Sequence, residues 1–423
     1  MPEVKTIAEL RIDNVRLCRR ITELAETGAI EGDGVCRLAL SDEDREGRDL
    51  VCQWMKQLGM RVSVDRIGNV VAIRDGLEDV APVMTGSHVD SVATGGRYDG
   101  ALGVLAGLEV IASLNDAAVS TRRPLAVGFF TNEEGARFAP DMMGSGVHQG
   151  ALDLDEMLGS RSIDGKILGE ELKRIGYDGA TGVNQFRAHC FIELHVEQGP
   201  VLEQEAIGIG AVTGVQGISW TEYRIDGTSN HAGTTPMHLR HDAGYVAAAI
   251  AVEARRIATD MGGSQVATVG AIELVPNLVN VIARQALMTV DLRNMDEARL
   301  QSAEQRLAEF VGDIEASEGV EISQRRLARF EPVAFDGAMV ALVEETATSL
   351  GFSCKRMPSG AGHDAQMFAP NSPTAMIFVP SKDGISHNVA EYTAPQELEA
   401  GANVLLQVML NKASSQCSLS KSR

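Results

Sequence analysis

The run Leu125-Ala-Val-Gly-Phe-Phe130 holds no polar side chain, and Thr131-Asn132-Glu133-Glu134-Gly135 follows it at once. A strand with one wet face alternates apolar and polar residues, so an unbroken apolar run reads as a strand buried on both faces. Cys190 to His195 is another strand read as fully buried, and Gly103 to Leu114 reads as a helix rich in small residues. Strands of this kind alternating with helices predict an α/β fold, a mixed but mostly parallel sheet flanked by helices.

The rest of the chain sorts around that core. Apolar residues recur at helical spacing from Ile7 to Ala25, and Ser41 to Leu58 is a second helix with Ser41 as N-cap and Gly59 as stop. Arg61 to Val64 and Asn69 to Arg74 read as strands around a turn at Ile67-Gly68, and Val80 to Met84 as a strand ending at Thr85-Gly86. The style changes near Val212-Thr213-Gly214. There Ser219 to Asp226, Leu239 to Thr259, Gln265 to Leu274, Val281 to Leu292, Glu297 to Ser317 and Gly319 to Arg326 follow the order β-α-β-β-α-β. That order is the one of a ferredoxin-like α+β unit. After Phe330-Glu331-Pro332 the earlier style resumes, with a helix from Gly337 to Leu350, a strand near Thr374 to Val379 and a helix from Pro395. The expected domains are 1–213 and 331–423 as two parts of one α/β domain, with 214–330 inserted. The polar tail from Ala413 to Arg423 is expected to be disordered.

Bulk properties exclude several classes. A chain of 423 residues exceeds one core's usual size. No run approaches the ~20 apolar residues of a membrane span, and Met1-Pro2-Glu3-Val4-Lys5 begins no secretory signal. The six cysteines form no C-x-x-C pair, so they read as reduced thiols of a cytoplasmic protein. A formal charge of −20 argues against a nucleic-acid partner, which needs a concentrated basic surface. Gly95-Gly96, Gly100, Gly103 and Gly107 fit neither dinucleotide nor P-loop spacing and read as packing glycines.

Four segments carry chemistry. Gly86-Ser87-His88-Val89-Asp90, with Asp99-Gly100 beyond it, places an imidazole and two carboxylates where a strand ends. In extended chain His88 and Asp90 point the same way, so one can bind a metal while the other orients it. Glu133 and Glu134 sit after a buried strand, where two carboxylates are costly unless paired. A metal supplies the reason: one glutamate ligates and the other takes a proton from bound water. Glu193-Leu194-His195-Val196-Glu197-Gln198-Gly199-Pro200 and Gly384-Ile385-Ser386-His387-Asn388 each put a histidine near a strand end. Taken alone, His195 on a strand also reads as a core histidine. Imidazole with carboxylate suits Zn²⁺, Mn²⁺ or Co²⁺ better than Mg²⁺ or Ca²⁺.

With S-N-H-A-G-T-T-P-M at Ser229 to Met237, these motifs resemble, in order and over nearly the whole chain, the M20-type metallohydrolases. H-x-E-Q-G-P narrows the resemblance to the hydantoinase/carbamoylase branch: N-carbamoyl-L-amino acid hydrolases, allantoate amidohydrolases and β-ureidopropionases. The resemblance implies two divalent ions per subunit, Zn²⁺ or Mn²⁺, with Co²⁺ or Ni²⁺ as alternatives. His88, Asp99 and His195 would hold one ion, and Asp99, Glu134 and His387 the other. Glu133 would be the general base and Asp90 a support for the His88 ring. Gln198, Asn280, Arg293 and Gly362 would contact substrate, and His231 would stabilise an oxyanion in a partner subunit's site. The inserted unit would be a lid and dimerisation domain, closing as Arg293 and Asn280 grip the substrate carboxylate. Without the resemblance, Arg293 after Asp291 reads as a local ion pair. His148, His189, His238, His241 and His363 take no metal role. The implied reaction is cleavage of a ureido C–N bond in a small acid. An aminoacylase or dipeptidase, and a non-catalytic small-molecule binder on the same scaffold, are the alternatives.

Overall fold

The computed structural model describes residues 7–183 and 187–414. They form two compact units: one comprises the residues up to Thr213 and from Ala334 onward, the other Gly214–Val333. Cys417 and the tail from 415 onward lie outside the described residues.

The larger unit is built on a nine-stranded mixed sheet. Its centre is four mutually parallel strands in the order Thr374–Val379, Cys190–Val196, Val83–His88 and Leu125–Phe130. Every residue of these four is buried, including the polar Thr85, Ser87, His88, Glu193, His195 and Thr374. Antiparallel strands extend the sheet, Val70–Arg74 and Arg61–Val64 beyond one side and Ile209–Val215 beyond the other. The helix Ala101–Asp116 is buried from Ala101 to Leu114. Gly103 is what lets it lie against the sheet. A Cβ there would fall 2.6 Å from the Leu194 carbonyl oxygen and 2.9 Å from Ser87 Cβ.

Some boundaries differ from the sequence expectation. The strand expected over Val80 to Met84 spans Val83–His88. Pro82 has no N–H to give a ladder, while pairing with Leu125–Phe130 carries the strand on to His88. The first helix starts at Asn14, where Asp13 accepts the Arg16 N–H as N-cap. The helix expected from Leu239 starts at Ala243 under an Asp242 cap. The strand expected over Val281 to Leu292 is Gln285–Asn294, because Val281 and Ile282 bond instead to the loop at Asn230 and His231. The strand Cys354–Ser359 was not anticipated. The last helix runs Pro395–Ser414 and buries Ala413, so that residue belongs to the fold and not to a polar tail.

The smaller unit has four antiparallel strands, Gly217–Asp226, Val266–Val275, Gln285–Asn294 and Glu321–Phe330. Numbered in chain order they stand 2-3-1-4 across the sheet, the ferredoxin-like arrangement. The helices Ala243–Met261 and Glu297–Glu318 supply the rest of its core, with Ile250 and Leu307 packed over Met288 and Val290. Among the described residues no helix is long and apolar enough to cross a membrane.

Candidate metal centre

The four parallel strands point the same way, so the residues just past or at their carboxyl ends emerge along one edge. His88 closes one strand, Glu133 and Glu134 follow the next, His195 is the penultimate residue of the third, and His387 follows the fourth. Open α/β sheets bind ligands in this crevice.

Asp99 lies at the middle of the cluster. Its Oδ1 is 3.1 Å from His195 Nε2 and 3.6 Å from His88 Nε2, while its Oδ2 is 3.4 Å from His387 Nε2. His387 Nε2 is also 3.3 Å from Glu134 Oε2. Two groups that could hold a metal ion therefore share one carboxylate: His88, Asp99 and His195, and Asp99, Glu134 and His387. Gly100 makes the first group possible. Its φ is +63°, and a Cβ would lie 2.3 Å from the His88 ring.

The histidines are prepared as ligands. His88 Nδ1 lies 2.9 Å from the Asp90 carbonyl oxygen, and His195 Nδ1 lies 2.9 Å from that of Val196. A carbonyl only accepts, so each Nδ1 carries the proton and each neutral Nε2 presents a lone pair. His88 Nε2 is buried without a hydrogen-bond partner, yet it faces Asp99 and also Glu133 Oε2 at 3.3 Å. A lone pair facing carboxylate oxygens is an arrangement that a cation resolves, so this donor set fits a divalent ion.

Proton affinities carry the same message. Burial, with the charges of Asp364, Glu134 and Asp99, holds Glu133 well above the usual carboxylate range against the pull of His88. Burial and Asp99 raise Glu134 to about 7. The hydrogen bond to Asp99 raises His387 to about 9. Burial pushes Asp99 upward, but the imidazoles of His195, His387 and His88 around it outweigh burial and hold Asp99 well below its usual range. Negative charge is in excess here, which a divalent cation would balance.

Asp90 is placed otherwise than expected. It holds the His88 ring by its main-chain carbonyl, while its carboxylate accepts the backbone N–H groups of Glu133 and Glu134 at 3.4 and 3.3 Å. Gln198, at φ +59°, donates from Nε2 to Asp99 Oδ2 at 2.9 Å. Gln198 and Gly362 line the cavity at the cluster, which measures about 100 Å³. A larger cavity of about 530 Å³ lies in the smaller unit, lined by Ser219, Thr221 and Glu304 among others, without a group of metal-ligating residues.

Three positions at the cluster were given no role in the sequence reading, His363 among them by name. Glu391 accepts the N–H groups of Tyr98 and Asp99, both at 3.1 Å, and so fixes the backbone of the shared carboxylate. Glu193 accepts from Ser87 Oγ at 2.6 Å and from the Ala365 N–H at 2.8 Å. Its signal was its period-two spacing from His195 on one strand. His363 forms a further group that could hold a metal, with Glu193 and His195, and stacks edge-on to His195 at 4.6 Å.

The smaller unit holds the remaining expected residues. His231 Nδ1 accepts the Gly233 and Thr234 N–H groups, at 3.1 and 3.3 Å. The proton of the neutral ring is therefore on Nε2, the tautomer that donates to an anionic oxygen. The Ala232 N–H bonds the Asn280 carbonyl at 3.0 Å, bringing Asn280 beside His231. Arg293 lies inside the strand Gln285–Asn294, paired with Asp291 at 2.9 Å and 5.8 Å from the Trp220 ring centre. At a rise of about 3.3 Å per residue, Arg293 is roughly 26 Å from Gln285 and the Asn280 side of the unit. Asn280 thus precedes this strand and Arg293 lies near its far end.

A profile of peptidase family M20/M25/M40 matches residues 84–411. The chain belongs to that family. It falls in the hydantoinase/carbamoylase branch and is a metal-dependent hydrolase. It is 39% identical over 404 residues, covering 95% of this chain and 97% of the relative, to an N-carbamoyl-L-amino-acid amidohydrolase of Rhizobium meliloti. It is 34% identical to a ureidoglycolate hydrolase of Arabidopsis thaliana, over 95% of this chain and 87% of the relative. Among solved structures, a hydantoinase/carbamoylase family amidase from Burkholderia multivorans superposes with a TM-score of 0.94 at 46% identity, covering 96% and 99% of the two chains.

Proposed function

We propose that this M20 hydrolase cleaves the ureido C–N bond of an N-carbamoyl acid, with a divalent ion in each of the two groups that share Asp99. The observation that carries the two-ion reading is the division of the Asp99 oxygens, Oδ1 toward His88 and His195 and Oδ2 toward His387. The relatives named for N-carbamoyl-L-amino acids and ureidoglycolate support the substrate class. His88, Asp99 and His195 would hold one ion and Asp99, Glu134 and His387 the other. Zn²⁺ and Mn²⁺ suit this donor set, with Co²⁺ and Ni²⁺ as alternatives. When bound, such ions acidify water and polarise the carbonyl.

The chain's own groups do the rest. Glu133 takes a proton from the attacking water and returns it to the leaving nitrogen. The C–N bond breaks to release the amine and a carbamate, which decomposes to CO₂ and ammonia. His231 Nε2–H donates to the oxyanion. Arg293 exchanges Asp291 for the substrate carboxylate, a bidentate partner of the same kind.

Substrate depletion followed by chromatography tests this reading across N-carbamoyl-L-amino acids, N-carbamoyl-β-alanine, allantoate and ureidoglycolate, against N-acetyl amino acids and dipeptides. At least one ureido acid should exceed every amide by 10-fold or more in kcat/KM, at about 1.4 kcal/mol per factor of ten. Preference for an N-acyl amino acid or dipeptide would make the protein an aminoacylase or dipeptidase.

The separation of Asn280 from Arg293 supports a homodimer in which His231 and Asn280 serve the partner subunit's site. Glu133→Gln and His231→Ala chains, each inactive alone, should then complement when co-expressed. Random pairing gives half mixed dimers, each with one intact site, or about a quarter of wild-type activity per subunit. Mixed dimers without activity would place His231 at its own chain's site.

A further inference from the structure

The group of Asp99, Glu134 and His387 has one imidazole, and it comes from a loop in a costly conformation. His387 stands at φ +53°, a left-handed backbone that a residue other than glycine keeps only where its surroundings hold it. Ser386 before it and Glu391 after it both reach to the segment of Asp99.

Glu391 is buried, and both ends of its carboxylate are engaged. Oε1 accepts the N–H groups of Tyr98 and Asp99, both at 3.1 Å, and Oε2 lies 3.2 Å from Ser386 Oγ. Gly96 leaves room for this side chain, since a Cβ there would fall 2.3 Å from Glu391 Oε1. Tyr98 and Tyr392 meet edge-on beside it, with ring centres 6.2 Å apart. Among the described residues no metal group includes Glu391.

Ser386 stands between two carboxylates. Its Oγ is 3.2 Å from Asp99 Oδ2 and 3.2 Å from Glu391 Oε2, yet a hydroxyl has one proton to give. Asp99 Oδ2 is also the oxygen that faces His387 Nε2, at 3.4 Å. Gln198 Nε2 already donates to that oxygen at 2.9 Å. A carboxylate oxygen has two lone pairs, so the Ser386 proton and a cation compete for the one that is left. Glu391 Oε2 is the other acceptor within reach of that proton.

We infer that Glu391 is a positioning residue for the second metal group: it ties the His387 loop to Asp99 and draws the Ser386 proton off Asp99 Oδ2, which leaves that oxygen open to an ion. The inference rests on the two-ion reading above. An amide in place of the carboxylate reverses the hydrogen bond. Its oxygen can keep the N–H groups of Tyr98 and Asp99, but its NH₂ end then donates to Ser386 Oγ. The Ser386 proton is left with Asp99 Oδ2, where it opposes an ion. The ligands on Oδ1, His88 and His195, are untouched by this change.

The test titrates Zn²⁺ calorimetrically into the full chain after its metal has been stripped with a chelator. His387→Ala identifies the binding step that belongs to the second group. In Glu391→Gln that step should weaken about 10- to 100-fold, the usual effect of losing a group that orients a ligand. The other step, and the thermal unfolding of the stripped protein, should match wild type. Removing the contested proton should remove the effect. Ser386→Ala alone should keep the second step, and Glu391→Gln in that background should change it by less than about 3-fold, where independent roles would add. Two unchanged steps in Glu391→Gln, equal weakening of both, loss of the second step in Ser386→Ala alone, or an undiminished effect in that background overturns the assignment. Wild-type protein that takes up a single ion would instead remove the two-ion reading, so the two failures are distinct.

Discussion

Glu133→Gln protein should retain its metal and lose turnover by roughly 10²–10⁴-fold or more, the range expected for removing a general base. Glutamine keeps the shape of the side chain and gives up only the site that takes the proton. The backbone of residue 133 is held without its carboxylate. Its N–H bonds Asp90, and its carbonyl accepts from Met142. Burial and the neighbouring carboxylates raise its affinity for protons, which suits a group that must hold one between two steps. The adjacent Glu134→Gln supplies the contrast. Glu134 lies with His387 and Asp99, so that change should lower metal content as well as rate. Metal per chain by elemental analysis and single-turnover rates separate the two. A Glu133→Gln enzyme with near-normal turnover would require another base.

The frame of this fold is legible because burial leaves so little choice. Strands such as Leu125–Phe130 admit no polar face, and their limits fall within a residue or two of expectation. The residues that reach the cluster are legible for a related reason: they are polar residues stranded at the ends of apolar runs. What stays hidden is how the chain turns just beyond those ends. Asp90 follows His88 by two residues, which in a continuing strand would set both on one face. The strand stops at His88, so the Asp90 carboxylate swings to the backbone of Glu133 and only its carbonyl meets the ring. Glu391 gives no local sign at all, since the N–H groups it accepts lie about 290 positions away. Arg293 illustrates the reverse. Its pairing with Asp291 was legible as a local ion pair. Where its strand begins was not legible, because Val281 and Ile282 pair with the remote loop at Asn230 and His231.

Asp99→Asn should release both ions, whereas His387→Ala should release one. The difference follows from the way Asp99 divides its oxygens. His88 and His195 converge on Oδ1, and His387 on Oδ2, within 3.1–3.6 Å. Asparagine presents one carbonyl oxygen and one NH₂, so at most one group keeps a ligand, and the other meets a donor where it needs a lone pair. The negative charge shared by both ions is lost as well. The supports built for that charge, Gln198 Nε2 and Ser386 Oγ at 2.9 and 3.2 Å from Oδ2, would then face a neutral amide. His387 lies at the open side of the cluster with half its side chain exposed, so its removal leaves His88, Asp99 and His195 intact. Elemental analysis after dialysis should find about two ions per wild-type chain, about one in His387→Ala and well under one in Asp99→Asn. Activity should fall to background in Asp99→Asn. Asp99→Asn protein that kept two ions, or lost only the one that His387→Ala loses, would show that Asp99 belongs to a single metal group and does not join the two.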